Sequence, residues 1–308
     1  MRILFLGTPT FAAIPLRALV AAGHDVVGVV TQPDRPAGRG GSMQAPPVKL
    51  AATELGLPVL QPPTLKEPVV VEQLAALRPD VGVVAAYGEI LRKAVLALPS
   101  LGYLNIHPSL LPLYRGPSPV SAAVLAGDEV TGVSVMLLER AMDAGPILAQ
   151  AVVPLAPTAR SGPLTDELFQ LGAELLVRVL PLYAKGELQA VPQEHSRATF
   201  SSMLRKADGE LDWREPALVL ERKLRAFDPW PGVWTMVEGV PLKILAATVE
   251  PTDVDAPPGM VLPGEQCRVM TGSGVLEVHT VQPSGKRPMA GADWLRGLRD
   301  RSAVRLGR

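Results

Sequence analysis

The sequence of 308 residues contains a single cysteine, Cys267, and no long apolar run. One cysteine excludes an internal disulfide framework and is typical of proteins from a reducing compartment. No stretch approaches the roughly 18 uninterrupted apolar residues that suggest a membrane-spanning helix. The apolar run at residues 1–6 is too short for the core of a signal peptide. We therefore expect a cytoplasmic protein with no membrane segment.

Neither sign of charge is in excess, because 30 acidic and 30 basic residues balance. Net charge therefore indicates no class of partner for the chain as a whole. Residues 286–308 are a local exception, since seven basic residues there are accompanied only by Asp293 and Asp300. Such an excess permits phosphate contacts, although solvated basic helices also have it. The four histidines are scattered and Cys267 is alone, so the spacing of ligands predicts no metal site.

A glycine-rich dinucleotide fingerprint is missing from the first strand–helix–strand unit. Residues 2–6 and 25–31 are apolar and predict buried strands, and residues 11–22 between them have helical spacing. This order implies a parallel sheet with a right-handed crossover. Because Gly-x-Gly-x-x-Gly does not follow the first strand, we expect no dinucleotide there, which disfavours a nicotinamide oxidoreductase.

The character of the sequence changes after residue 190. Before it, apolar strands at 80–86 and 102–107 and a long amphipathic helix at 165–183 extend the α/β pattern. After it, short alternating runs between proline and glycine turns predict a small β-barrel. These runs are residues 241–248, 259–262, 266–271 and 275–281. We therefore predict three segments, an α/β domain with a parallel sheet at 1–190, a linker at 191–204 and a β-barrel domain at 205–308.

A polar loop at residues 32–47 is longer than most connections between elements. Arg35 and Arg39 lie in this loop among glycines and prolines, where they suit contacts with phosphate. A solvated flexible loop would have the same composition. The residues alone leave both interpretations open.

Asn105 and His107 end an apolar strand just before Pro108. Proline disfavours helix at the residue before it, so His107 is extended, and residues two apart then share a face. A carboxamide beside an imidazole at the end of a strand can polarise a carbonyl and accept a proton. Taken alone, the pair is more typical of a core histidine beside a hydrogen-bonded asparagine.

Asp143 precedes Ala-Gly-Pro and is typical of a turn residue. It gains a role only if its loop folds back over His107. A carboxylate there would set the tautomer of the imidazole and stabilise its cation. The spacing along the sequence leaves this open.

Three motifs occur in order in the middle of the chain: Asn-Ile-His-Pro-Ser-Leu-Leu-Pro at 105–112, Arg115 with Gly116, and Met-Asp-Ala-Gly-Pro-Ile at 142–147. Together they resemble motifs of the folate-dependent formyltransferases. The histidine motif marks the superfamily, which also includes enzymes for glycinamide ribonucleotide and nucleotide sugars. Further motifs run in order along nearly the whole chain and resemble the members that act on aminoacylated initiator tRNA. They lie at residues 6–12, 31–40, 47–49, 86–88, 206–213 and 285–286.

The resemblance implies a Rossmann-like catalytic domain followed by an OB-like β-barrel that helps to hold tRNA. It implies direct transfer of a formyl group from the co-substrate 10-formyltetrahydrofolate to the α-amino group of methionine on initiator tRNA. His107 is then the general base, Asn105 the oxyanion donor and Asp143 the carboxylate that orients the imidazole. The residues implied for folate are Ser109, Leu110, Leu111 and Pro112, and those implied for tRNA are Arg35, Arg39, Lys206 and Lys286. We expect a monomer.

The chain departs from the family pattern at two places. Gly41 and Ser42 stand where the family usually has basic residues, which weakens the electrostatic support for tRNA binding by this loop. Arg92 stands where the family usually has proline, and we expect a local change at the folate rim. Two alternatives remain, a formyltransferase for an amino sugar nucleotide or another small amine, and a folate- or nucleotide-binding regulator that has lost the chemistry. Retention of all three catalytic positions disfavours the regulator.

Overall fold

Apolar strands in the first part of the chain assemble into a seven-stranded sheet. It is seen in a computed structural model, which describes residues 1–37, 41–251, 254–298 and 304–307. The chain forms two units, of which the first comprises residues 1–119, 130–154 and 165–201 and the second residues 120–129, 155–164 and 202–308. The borders predicted from the sequence, with domains at 1–190 and 205–308 and a linker at 191–204, stay a prediction.

The strands of the first unit are β1 (Arg2–Gly7), β2 (Asp25–Val30), β3 (Arg35–Ala37), β4 (Ser42–Gln44), β5 (Val59–Leu60), β6 (Val81–Ala85), β7 (Tyr103–His107), β8 (Val130–Leu137) and β9 (Ile147–Pro154). The α-helices within the described residues are α1 (Ala13–Ala21), α2 (Pro47–Glu54), α3 (Pro68–Ala76), α4 (Lys93–Leu96), α5 (Pro119–Ala126), α6 (Ser161–Ala184), α7 (Ala217–Ala226) and α8 (Gly291–Arg296). None of the helices in the described ranges is both long and apolar enough to cross a membrane.

The sheet of the first unit has the order β5-β2-β1-β6-β7-β8-β9. Its strands pair in parallel from β5 to β7, whereas β8 and β9 add an antiparallel edge. Strand β6, Val-Gly-Val-Val-Ala, is buried at every position, as a parallel strand covered on both faces requires. The carboxyl ends of β6 and β7 therefore open at the edge where α/β sheets bind ligands.

The sheet confirms the strands predicted at 2–6, 25–31, 80–86 and 102–107. The α/β class with a Rossmann-like sheet is correct, and the antiparallel edge is an addition to it. The polar loop at 32–47 is not wholly irregular, because β3 and β4 pair in it as a two-stranded ribbon. These strands have three residues each and β4 is exposed throughout, so no alternation of apolar residues announces them.

The second unit has an antiparallel sheet, built from β10 (Val233–Val237), β11 (Val240–Glu250), β12 (Arg268–Met270), β13 (Val275–Pro283) and β14 (Met289–Ala290). Its order is β10-β11-β13-β12, and β14 pairs with β13. Register shifts in β11 at Ile244 and Ala246 bend the long strand, so the sheet is curled. The residues predicted as a strand at 259–262 form only isolated bridges.

Candidate active site

Strand β7 carries Asn105 and His107, two residues buried to 8% and 4% exposure. Ile106 between them faces helix α6, because a Cβ on Gly172 of that helix would lie 2.6 Å from Ile106 Cγ2. Successive side chains of a strand point to opposite faces, so Asn105 and His107 both point away from this helix. The carboxamide and the imidazole thus lie side by side at the carboxyl end of the strand.

The imidazole of His107 contacts two groups that come from loops. Its Nε2 lies 3.0 Å from the carbonyl oxygen of Tyr114, and its Nδ1 lies 3.8 Å from Oδ2 of Asp143. A carbonyl oxygen only accepts hydrogen bonds, so Nε2 carries the proton and donates a hydrogen bond to the carbonyl oxygen of Tyr114. In the neutral ring Nδ1 is therefore the unprotonated nitrogen, and it faces a carboxylate.

The loop that carries Asp143 folds back over His107, which is the geometry required of it above. Its φ of +48° lies in the left-handed region, which aspartate adopts more readily than most residues. Its Oδ2 accepts a hydrogen bond from the backbone N–H of Gly116 at 2.8 Å. Position 116 requires glycine, since φ is +105° and a Cβ would lie 2.6 Å from the carbonyl oxygen of Ser201. The carboxylate is thus held where it would stabilise a protonated imidazole.

The loop at 109–112 is held by polar side chains of the antiparallel edge. Ser134 of β8 lies opposite His107 in the ladder and donates to the carbonyl oxygen of Ser109 at 2.7 Å. Its hydroxyl oxygen accepts from the N–H of Leu111 at 3.1 Å and from Gln150 of β9 at 2.8 Å. Gln150 also donates to the carbonyl oxygen of Leu111 at 3.0 Å. The backbone of this loop is therefore fixed with respect to His107.

Arg115 is buried to 5% exposure, although arginine is mostly an exposed residue. Its guanidinium donates to Oε1 of Gln193 from Nε at 3.1 Å and from Nη2 at 2.7 Å. Nη2 also lies 2.9 Å from Nδ1 of His195, which accepts. Satisfied hydrogen bonds are what burial of a guanidinium requires.

The residues predicted to meet tRNA are divided between the two units. Arg35 is exposed on β3 and donates to Gln32 at 3.0 Å. Lys206 and Lys286 are exposed in the second unit. Arg39 lies outside the described residues, as do Arg299, Arg301 and Arg308 of the basic C-terminal segment.

The base of the loop at 32–47 is held by Asp34. Its carboxylate accepts from Gln61 at 2.6 Å and from Lys49 at 2.8 Å. These hydrogen bonds, with that from Gln61 the larger, lower the pKa of Asp34 below its usual range. A carboxyl group with a lowered pKa holds its partners above that pKa and releases them as the pH falls through it.

A pocket of about 900 Å³ lies in the first unit beside the segment that follows β6. Its lining combines apolar side chains with three cations and consists of Ile90, Leu91, Arg92, Lys93, Leu96, Ala97 and Arg140. Arg140 is in the same loop as Asp143. The sequence reasoning drew attention to Arg92 but missed Lys93 and Arg140.

Other residues of the site were missed because they act on backbone atoms. Ser134 and Gln150 are polar residues within apolar strands, and this was the one signal that could have marked them. Gln193 lies in a segment without periodicity that was predicted to be a linker. Only the folded chain shows what it contacts.

Comparison with known proteins assigns the chain to a family. The model of the formyl transferase domain matches residues 1–180, and that of the formyl transferase C-terminal domain matches residues 203–299. The chain belongs to the formyl transferase family. A methionyl-tRNA formyltransferase of Chloroflexus aurantiacus is 61% identical over 310 residues, covering 100% of each chain.

Two solved structures share the fold. HypX from Aquifex aeolicus, solved with tetrahydrofolic acid, matches with a TM-score of 0.65 and 20% identity over 96% of this chain and 47% of that one. The N-formyltransferase from Helicobacter canadensis, solved with folinic acid and dTDP-3-aminofucose, matches with a TM-score of 0.66 and 14% identity over 90% of this chain and 98% of that one. At these identities the likeness concerns the fold alone.

The pKa of Asp34 provides a test of how the 32–47 loop of this formyl transferase is held. We expect Gln61→Leu to raise that pKa toward its usual value, because the largest cause of its lowering is removed. As the pH is lowered, the remaining contact between Asp34 and Lys49 would then be lost at a higher pH than in the unaltered chain. NMR titration of the Asp34 carboxyl carbon measures the change, with Gln44→Leu on exposed β4 as the control. An unchanged pKa in Gln61→Leu would show that this hydrogen bond does not hold the loop.

Proposed function

We propose that this formyl transferase moves the formyl group of 10-formyltetrahydrofolate to the α-amino group of methionine on initiator tRNA. The observation that carries the proposal is the 61% identity, over the full length of both chains, with a methionyl-tRNA formyltransferase. The buried Asn105 and His107 and the half-buried Asp143 supply a donor, a base and a carboxylate, the groups that this chemistry uses.

His107 takes the proton in the proposed reaction. An α-amino group has a pKa of about 8, so a fraction of it is neutral near pH 7 and can attack, and a base is needed for the one proton that the attack releases. Nδ1 is the free nitrogen of the neutral ring, since Nε2 is bonded to the Tyr114 carbonyl. A proton that arrives at Nδ1 makes an imidazolium 3.8 Å from the Asp143 carboxylate, which stabilises it.

Asn105 supplies a hydrogen bond to the oxygen that becomes negative during the reaction. Attack of the amine nitrogen on the formyl carbon makes a tetrahedral intermediate whose oxygen is negative. The side-chain amide of Asn105 donates to this oxygen in the proposed mechanism. Removal of one such donor costs on the order of 3 kcal/mol, or about a hundredfold in rate. When the intermediate collapses, the bond to N10 of tetrahydrofolate breaks, and the proton held on His107 goes to that nitrogen.

The folate co-substrate is proposed to bind between the 109–112 loop and the pocket at residues 90–97. A folate combines a flat heteroaromatic ring with a glutamate tail that carries two carboxylates. The apolar side chains of Ile90, Leu91 and Leu96 suit the ring, and the cations of the pocket suit the tail. Arg92, at the position that departs from the family pattern, then adds a cation to the folate rim.

The tRNA is proposed to contact Arg35 and Arg39 in the 32–47 loop and Lys206 and Lys286 in the second unit. Arg35, Lys206 and Lys286 are exposed, and Arg39 lies outside the described residues. Contacts of this kind bind the phosphate backbone and make binding depend on salt. They do not distinguish one tRNA sequence from another.

The choice of acceptor tests the proposal. Formyl transfer is measured in parallel to methionyl initiator tRNA, to methionyl elongator tRNA and to a dTDP-linked amino sugar. We expect product on the initiator tRNA and none on the sugar. Product on the sugar alone would retain the catalytic residues and overturn the proposed substrate.

The charge of Asp143 provides a second test. Asp143→Asn keeps an oxygen that accepts from the N–H of Gly116 but removes the charge beside His107. We expect kcat to fall by about a hundredfold, as for loss of general acid–base catalysis, while the Kd for tetrahydrofolate stays within a few-fold. Asp166→Asn, at an exposed position of α6, is the matched control. Full activity of Asp143→Asn would contradict the proposed role of the carboxylate.

The cations of the pocket provide a third test. We expect Arg140→Ala to raise the Kd for tetrahydrofolate by about tenfold, because a hydrogen bond to a charged group is lost. The effect should shrink at high salt, since the tail is solvated at the pocket rim. Isothermal titration measures both, with the exposed Arg17→Ala as control. Equal affinities would place the folate tail elsewhere.

A further inference from the structure

Gln193 lies beneath the loop that carries Asp143. It is buried to 6% exposure, although the residue itself lies in no helix or strand. Both polar atoms of its side chain have hydrogen-bond partners. Its Oε1 accepts both hydrogen bonds from Arg115, and its Nε2 donates to the carbonyl oxygens of Asp143 at 2.8 Å and of Gly145 at 2.7 Å.

These four contacts fix the orientation of the carboxamide. The end that meets Arg115 must be the oxygen, because a guanidinium only donates. The other end must be the nitrogen, because it meets two carbonyl oxygens. Neither a carboxylate nor an apolar side chain of similar size can satisfy both sides of Gln193.

Arg115 holds this amide in a fixed place because its own backbone is paired on both sides. Its N–H donates to the carbonyl oxygen of Thr199 at 2.9 Å, and its carbonyl oxygen accepts from the N–H of Ser201 at 2.7 Å. The next residue is Gly116, whose N–H binds the Asp143 carboxylate. Arg115 is thus connected to Asp143 along two routes, through Gln193 to the backbone and through Gly116 to the side chain.

Asp143 needs such support because of its conformation. A residue other than glycine at positive φ is held there only where its surroundings impose that conformation. The backbone oxygen of Asp143 is bound by Gln193 and its carboxylate by Gly116, so both ends of the residue are fixed. Release of one end allows the carboxylate to turn away from His107.

We propose that Gln193, held by Arg115, is a positioning residue that keeps the carboxylate of Asp143 facing Nδ1 of His107. The inference rests on the proposed function, since it assigns Gln193 a part in the same transfer. Gln193 touches neither substrate nor reacting atoms in this scheme and acts only through Asp143. Its loss should therefore change turnover and leave substrate binding in place.

Two variants of Gln193 test the role. Gln193→Leu removes the donor and the acceptor, whereas Gln193→Glu keeps an acceptor for Arg115 but turns an oxygen toward the two carbonyl oxygens. We expect each to lower kcat for formyl transfer by about tenfold, as for one or two lost buried hydrogen bonds, with both KM values within about threefold. Gln189→Glu, exposed in the same segment, carries the same charge change and should have unaltered kinetics. Unaltered kcat in a folded Gln193 variant would overturn the inference.

A double-mutant cycle with Asp143→Asn separates positioning from a general loss of stability. If Gln193 acts through Asp143, its substitution should lower kcat by less than about twofold once the carboxylate is gone. The same tenfold loss in both backgrounds would overturn the inference. If Gln193→Leu does not fold, Gln193→Glu carries the cycle, since it retains the contact with Arg115.

A crystal structure of the Gln193→Glu variant gives a readout that needs no acceptor substrate. We expect the carboxylate of Asp143 to have left its place beside His107 Nδ1, and an unmoved carboxylate would overturn the inference. Failure of the unaltered enzyme to formylate methionyl-tRNA would instead count against the proposed function, and the structure would still decide the role of Gln193.

Discussion

The hydrogen bond between Nε2 of His107 and the carbonyl oxygen of Tyr114 is the contact on which the rest of the site depends. It fixes which ring nitrogen is free, and so where a proton can be taken up. To make it, the chain must return to the end of β7 only seven residues after His107. Tyr114 adopts a φ of +55° in doing so, and the loop is secured by Ser134 and Gln150 from the neighbouring strands.

The site is assembled mostly through backbone atoms. The carbonyl oxygen of Tyr114 orients the imidazole, the N–H of Gly116 orients the carboxylate, and the carbonyl oxygens of Asp143 and Gly145 bind Gln193. Backbone groups in such loops cannot be left unpaired without cost, so each pairing also stabilises the fold. The arrangement of the chemical groups and the closure of the loops are therefore one set of hydrogen bonds.

Because the site is assembled mostly through backbone atoms of loops, the sequence could predict only part of it. Asn105 and His107 lie on a strand, where the period of two places them together whatever surrounds them. The apolar runs of the parallel sheet were predicted for the same reason, since burial on both faces leaves a strong local signal. The second unit was predicted to be a small β-barrel of short strands, and it has an antiparallel curled sheet, although residues 259–262 form only bridges.

The return of Asp143 to His107 has no such local signal. It depends on a glycine at position 116 and on Gln193, which lies 50 residues further along the chain. The burial of Arg115 has no local signal either, because burial of a guanidinium depends on acceptors that come from distant segments. Hydrogen bonds between loops are specified by the whole fold, and no periodicity within a loop foretells them.

The position of the proton on His107 tests this account most directly. In protein labelled with 15N at histidine, the NMR shifts of the two ring nitrogens tell which one carries hydrogen, and a His107→Asn variant identifies the signals. At a pH where the ring is neutral, we expect Nε2 to show the shift of a protonated nitrogen and Nδ1 that of an unprotonated one. The opposite tautomer would contradict the account, because Nδ1 would no longer be free to take the proton beside Asp143.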